Sequence, residues 1–274
     1  MKQLRNLGLF AAIIAVATAG WWWQQQANDS SLLQEVPADT LLLAGNLQPL
    51  PVGQRSLYSP AMTAMYRDTL LQLYHQYRGE RLLERNGQAA DEQSQLQDAR
   101  LAFGVALASD LLTSLTSGGP LPLDNRQPLL LFMVGSLPVL RFNADADALN
   151  QYLQQLAQQH GIVLQAKLHH EQPYLLLPLI ETPGKSLALA LVSRPGQTRL
   201  ALISDAIDDD SLGLLLGNRQ PQHSLADDPR LLQAQQQLQL LPQQQFYFSL
   251  SELARGLLQP DSNLFGRQLQ QLVG

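Results

Sequence analysis

From Ile162 to Ser204 the chain writes four apolar runs with three turns between them, and no other stretch constrains the fold as tightly. The runs are Ile162 to His169, Tyr174 to Ile180, Leu187 to Val192 and Thr198 to Ser204. The turns are Glu171-Gln172-Pro173, Thr182-Pro183-Gly184-Lys185 and Arg194-Pro195-Gly196-Gln197. Connections this short join only antiparallel neighbours, because a parallel crossover needs a dozen residues or more. In the first run Ile162, Leu164, Ala166 and Leu168 alternate with Val163, Gln165, Lys167 and His169, which predicts a strand with two distinct faces. His169 and His170 fall at its end, where exposure is expected.

Upstream, Leu129 to Val134 and Val139 to Phe142 read as strands around a Gly135-Ser136-Leu137-Pro138 turn. A helix from about Ala144 to His160 follows, with Leu149, Tyr152, Leu153, Leu156 and Ala157 on one side and glutamines on the other. Gly161 stands where a left-handed cap is wanted. Ser59-Pro60 starts a helix running to about Leu83, whose apolar face is Met62, Met65, Tyr66, Thr69, Leu70, Leu73 and Tyr77. Residues 86–98 lack an apolar period and read as a loop or frayed end before a helix from Ala99 to Leu115. Short helices are expected near Asp208 to Leu216 and Pro229 to Leu241, and after Ser251. The fold class is therefore α+β: an antiparallel meander with helices packed on it, preceded by one N-terminal transmembrane helix. Val36-Pro37-Ala38-Asp39-Thr40 before Leu41 to Ala44, and Leu241-Pro242-Gln243-Gln244-Gln245 before Phe246 to Ser249, share one form. They read at most as a weak internal repeat, its second copy incomplete and starting at about residue 242.

The transmembrane reading rests on the first residues. Lys2 and Arg5 are the only charges before Asp29, and Leu7 to Ala17 is apolar throughout but for Gly8. Two readings fit. One is a cleaved signal with Ala17-Thr18-Ala19 as its cleavage site. The other is an uncleaved anchor of about 17 residues, Leu7 to Trp23, at the short end of what crosses a bilayer. Trp21, Trp22 and Trp23 favour the anchor, since indole rings collect at the headgroup boundary. Lys2 and Arg5 hold the N-terminus in the cytoplasm, and no further basic residue occurs before Arg55. The organisation expected is an anchor or signal segment over 1–23, a linker over 24–35 and an exported domain over 36–274. That places the chain in a bacterial inner membrane as a single-pass protein with its bulk in the periplasm, or, if cleaved, free in the periplasm.

Composition narrows the chemistry. The net charge is −5, and without Lys2 and Arg5 the rest keeps 16 basic against 23 acidic residues with no basic cluster, which argues against nucleic acid as a partner. There is no Cys, so neither a disulfide nor a lipidated N-terminus is available. Leu makes up roughly a fifth of the chain and Gln roughly an eighth, an apolar interior with a neutral wet surface. Asn143, Asp145 and Asp147 have the first spacings of a calcium loop, but Ala148 stands where Gly is needed and Gln154 where Glu is needed. They read instead as caps for the following helix, as do Asp208-Asp209-Asp210 and Asp227-Asp228 for theirs. The histidines, His75, His160, His169, His170 and His223, show no i, i+4 pair, so a metal site would need residues from distant segments. No nucleophile elbow or phosphate loop is present, and Ser117-Gly118-Gly119-Pro120 is a turn. No catalytic, cofactor or metal residue is assigned from these patterns.

Three segments carry a resemblance. Val36-Pro37-Ala38-Asp39-Thr40, Gly135-Ser136-Leu137-Pro138-Val139-Leu140-Arg141 leading into a helix, and Ser224-Leu225-Ala226-Asp227-Asp228-Pro229 resemble an uncharacterised family of proteobacterial envelope proteins. That family has one N-terminal membrane segment and a large exported α+β region, and its members tend to be longer. The resemblance implies an envelope location and no activity. The expectation is a non-enzymatic binding or accessory factor of the envelope, with the inner membrane and an envelope protein or lipid as partners. The alternatives are a periplasmic module for lipid or another apolar ligand, and an enzyme with dispersed catalytic residues.

Overall fold

The computed structural model describes residues 32–49, 60–84, 91–117, 119–124, 126–182, 185–194, 196–204, 207–238 and 245–273. The proposed anchor, with Lys2, Arg5 and Trp21 to Trp23, lies outside them. Among the described residues no helix is long and apolar enough to cross a membrane.

Among the described residues eight strands form one sheet, in the order β4-β5-β6-β7-β3-β2-β1-β8. They are β1 Leu42–Asn46, β2 Leu129–Val134, β3 Leu137–Phe142, β4 Gln165–His169, β5 Gln172–Thr182, β6 Lys185–Arg194, β7 Gln197–Ser204 and β8 Gln245–Phe248. Every pairing is antiparallel. The meander expected from the short turns is β4 to β7, and β7 joins the β2–β3 hairpin through Val139↔Ala201 and the pairs beside it. Prolines sit where one side of their strand is uncovered. The β3 ladder with β7 starts at Val139, one residue past Pro138. Pro178 lies beyond the last β4 partner and opens a bulge before Ile180.

Both faces of the sheet are covered, so β2 is apolar without alternation. Leu130, Phe132 and Val134 face one core with Leu32, Leu33, Leu43, Leu215 and Leu225. Leu129 and Leu131 face the other, built with Phe103, Leu107, Leu149 and Leu153. Helix α1 Pro60–Glu84 packs on α2 Glu92–Ser117, and the second core is roofed by α2 and α3 Ala146–Gln159. Tyr152 on α3 donates to Asp110 Oδ2 on α2 at 2.6 Å, and burial with that hydrogen bond drives its phenol pKa well up. The first core is closed by a 3-10 turn, Leu32–Glu35, and by α4 Asp209–Leu216 and α5 Pro229–Leu238. Helices α6 Leu250–Leu258 and α7 Leu264–Val273 follow β8. β1 and β8, the strands behind the two similar Pro-led entrances, are antiparallel neighbours at one end of the sheet.

Three sequence expectations change. Helix α2 starts at Glu92, not Ala99, because Asp91 caps it by accepting from Ser94 N at 2.6 Å and the Gln-rich turns continue as solvated helix. On α1, Tyr66 and Leu70 are buried but Met65 is 54% exposed, so its inward face is narrower than the periodicity suggests. In the first run of the meander only Gln165–His169 is strand, and its end is inverted: His169 is 7% exposed and Leu168 is 72% exposed. Hydrogen bonds from α4 and the loop after it turn His169 inward, as described below. The caps stand as read: Asp145 accepts from Ala148 N, Asp208 from Ser211 N, and Gly161 takes φ 65°.

Candidate functional site

A cleft of about 590 Å³ opens between four segments on the side of the first core. One wall is Pro37 to Asp39, stitched to the loop before α5 by Ala38 N donating to His223 O at 2.9 Å and Leu225 N to Val36 O at 2.7 Å. The other walls are Asp210 and Leu214 on α4 with the following loop through His223, then Arg230 on α5, and Glu252 and Arg255 on α6. Its charges are balanced: Asp39, Asp210 and Glu252 against Arg219, Arg230 and Arg255.

The floor is an ion network. Asp228, next to Pro229, caps α5 through Arg230 N at 2.8 Å and grips the Arg230 guanidinium at 2.6 Å. Those hydrogen bonds hold the Asp228 carboxyl below its usual range. Arg230 reaches Glu252 Oε1 at 3.5 Å, and Arg255 reaches Oε2 at 3.1 Å. Glu252 is 2% exposed, and its carboxylate is met by these partners and by Asn263 Nδ2, at 3.4 Å. Asp39 behaves differently: burial raises its pKa, and the nearby Glu252 raises it further, against a backbone hydrogen bond and the cations Arg267 and Arg255.

Behind the cleft, β3 and β7 pair Arg141 with Arg199 directly across the sheet. Both are buried, and one carboxylate serves them: Glu35 Oε2 lies 2.6 Å from Arg199 and 3.9 Å from Arg141, and also accepts from Gln197 at 2.9 Å. Arg199 donates as well to Leu214 O at 2.8 Å, at the end of α4. Burial lowers both guanidinium pKa values, and Glu35 opposes the shift.

A second cluster sits on the N-terminal end of α4. His169 Nε2 lies 3.1 Å from Asp209 Oδ1, and His170 Nε2 lies 2.9 Å from Oδ2. The two rings are edge to face at 4.3 Å. These hydrogen bonds, His170 first, lower the Asp209 pKa. The geometry comes from a two-residue hairpin between β4 and β5 in which His170 and Glu171 both have positive φ, 46° and 65°. Asn218 fixes the buried ring: its Nδ2 lies 3.0 Å from His169 Nδ1 and 3.2 Å from the His169 carbonyl, while its Oδ1 accepts from Arg194.

Sequence patterns flagged some of these residues and misassigned others. Asp208 is the cap it was read as, whereas Asp209 of the same triplet binds two imidazoles. His75, His160 and His223 are not among the three donors that converge. Asp147 lies in the first turn of α3, where its charge suits the helix terminus as read, whereas Asn143 accepts from Arg141 Nη1 at 3.3 Å; no donor set of three or more forms around them among the described residues. The cleft had no local signature, since its walls come from segments more than 200 positions apart. Comparison of the chain with protein-family models, curated proteins and solved structures gave no match.

Proposed function

We propose that this chain is a membrane-tethered accessory factor of the bacterial cell envelope, non-enzymatic, which engages a polar segment of an envelope partner through the charged cleft. The observation that carries the binding reading is the cleft itself: three cations and three carboxylates on a wall made by four separate segments. Arg230 and Arg255, each about half exposed, cover carboxylates that are almost wholly buried, so they are oriented before any partner arrives. Balanced signs suit a polypeptide with both charges better than a polyanion. Much of the leucine fills two cores, one on each face of the sheet, which weighs against the lipid alternative. The envelope address rests on Lys2, Arg5, the apolar run and the tryptophan triplet.

Two experiments test the two halves. A reporter active only outside the cytoplasm, fused after Gln26, should be active; an inactive fusion removes the address. A photo-crosslinker at Gln222, exposed on the cleft wall, should give a discrete adduct in cells that Arg255→Glu abolishes. An adduct unaffected by that charge reversal, or none, sinks the binding site. Turnover of any substrate by the purified chain in a broad hydrolase screen would refute the non-enzymatic reading.

A further inference from the structure

We infer that His169, His170 and Asp209 form a binding site for a single divalent cation of the zinc class. Their ligand atoms all lie within 4.8 Å of one another. The two imidazole nitrogens approach the carboxylate oxygens to 3.1 and 2.9 Å. Around a tetrahedral ion with bonds of about 2.0–2.1 Å, donor atoms stand roughly 3.3 Å apart, so small rotations of the exposed His170 ring and Asp209 carboxylate suffice to admit it. Two imidazoles and one carboxylate select a borderline ion such as Zn²⁺ over Mg²⁺ or Ca²⁺, which want oxygen donors. His170 and Asp209 are about two-thirds exposed, which leaves the remaining coordination positions to water or an incoming group.

The surroundings look after the ligands as well. His169 is buried and its ring cannot swing, because Asn218 holds Nδ1 and the carbonyl while Arg194 holds Asn218 Oδ1. That orientation leaves Nδ1 as an acceptor and puts the ring proton on Nε2, facing Asp209. An ion at Nε2 sends that proton to Nδ1, and the Asn218 amide must then turn to present its oxygen. The site is thus aimed but tuned weak, and its weakness has one named cause. Replacing Asn218 by Asp supplies the acceptor that metal-bound histidines ordinarily have behind them.

The test is Zn²⁺ titration of the full chain in detergent against a chromophoric chelator. One equivalent should bind, with Mg²⁺ and Ca²⁺ failing to compete. His170→Asn, which tolerates the positive φ, and Asp209→Asn should each weaken binding at least about tenfold. Asn218→Asp should tighten it by about tenfold or more. His75→Ala, outside the cluster, should change nothing. Copper EPR gives an independent reading: two coupled imidazole nitrogens in the parent, one in His170→Asn. No stoichiometric Zn²⁺ binding, binding that survives both His170→Asn and Asp209→Asn, or an Asn218→Asp variant that binds no tighter would overturn the site. It would leave the cluster as a hydrogen-bonded clasp between the β4–β5 hairpin and α4.

Discussion

Glu35→Gln tests whether one carboxylate holds two buried guanidinium groups. Side-chain exposure is 4% for Arg199, 9% for Arg141 and 22% for Glu35, so the cations depend on Glu35 far more than on water. Removing one partner from a buried pair typically costs about 3–5 kcal/mol, mostly as the penalty of the charge left behind. Two features reduce that here. Glu35 retains some solvent, which screens its charge, and the glutamine oxygen can still accept from Arg199 and Gln197. Leu214 O also remains as a partner for Arg199. A loss of about 2–3 kcal/mol is expected on these grounds. At about 2–4 °C per kcal/mol for a domain of this size, the midpoint should fall by about 4–12 °C. Denaturant unfolding of the full chain, followed by circular dichroism, measures the loss directly, and an unchanged m-value would confirm that the folded state has kept its extent. Adding Arg141→Met to Glu35→Gln should restore part of the loss, because it removes one of the two stranded cations. A Glu35→Gln effect below about 0.5 kcal/mol, or a double variant worse than the sum of the singles, would refute the shared-carboxylate argument.

The remaining predictions concern single positions. Burial puts the folded pKa of Asp39 above its unfolded value, so the stability it contributes is full below the unfolded pKa and is lost as pH rises through the folded one. Asp39→Asn should therefore be more stable than the parent at pH 7, with the gap closing towards pH 4 in a series of melting curves; a less stable variant at pH 7 would show that the backbone hydrogen bond outweighs desolvation. Gly135 turns the β2–β3 hairpin at φ +62°, and a Cβ there would stand 2.3 Å from Gln268 Oε1, which accepts from Ser136 N at 2.7 Å and Oγ at 2.8 Å. Gly135→Ala should cost about 2–4 kcal/mol through backbone strain and the lost anchor of α7, read by denaturant titration. Glu171, at φ 65°, bears the opposite strain, so Glu171→Gly should stabilise by about 0.5–1 kcal/mol in the same assay.

The parts of the fold legible in the sequence were those decided within a dozen residues. Three short turns declared the β4–β7 meander, Gly135 declared the β2–β3 hairpin, and Asp145 and Gly161 bracketed α3. What could not be read was decided by partners far along the chain. The sheet is joined in the middle by β3 against β7, across an intervening helix and three strands, and at its end by β1 against β8. Nothing in Leu42 to Asn46 or Gln245 to Phe248 names the other. The inverted end of β4 has the same origin. Alternation placed Leu168 inside and His169 outside, but Asn218 and Asp209 offer the His169 ring two polar contacts that no leucine could use. A local hydrophobic preference worth about 1.5–3 kcal/mol is outweighed when a buried polar side chain is fully met by partners and the leucine has room at an edge strand.

Both candidate sites draw a carboxylate from the first turn of one short helix. The N-terminus of α4 carries Asp209 to the paired histidines and Asp210 to the cleft. Its C-terminus is held by arginines from the sheet: Arg199 takes Leu214 O, and Arg194 takes Gly217 O at 3.1 Å while binding Asn218. Cations at the carbonyl end and carboxylates at the amide end both suit the helix dipole. The same contacts make the helix a rigid link. Arg194 fixes Asn218, Asn218 fixes His169, and Gly217 takes φ +72° with its missing Cβ closing onto the Arg199 guanidinium. Any side chain at Gly217 would push Arg199 off Glu35 and pull the loop that positions Asn218. Gly217→Ala should therefore disturb the ion cluster and the histidine cluster together, visible as a loss of stability and a shift of the His169 ring resonances in the same variant. Disturbance of only one would show that α4 does not couple them.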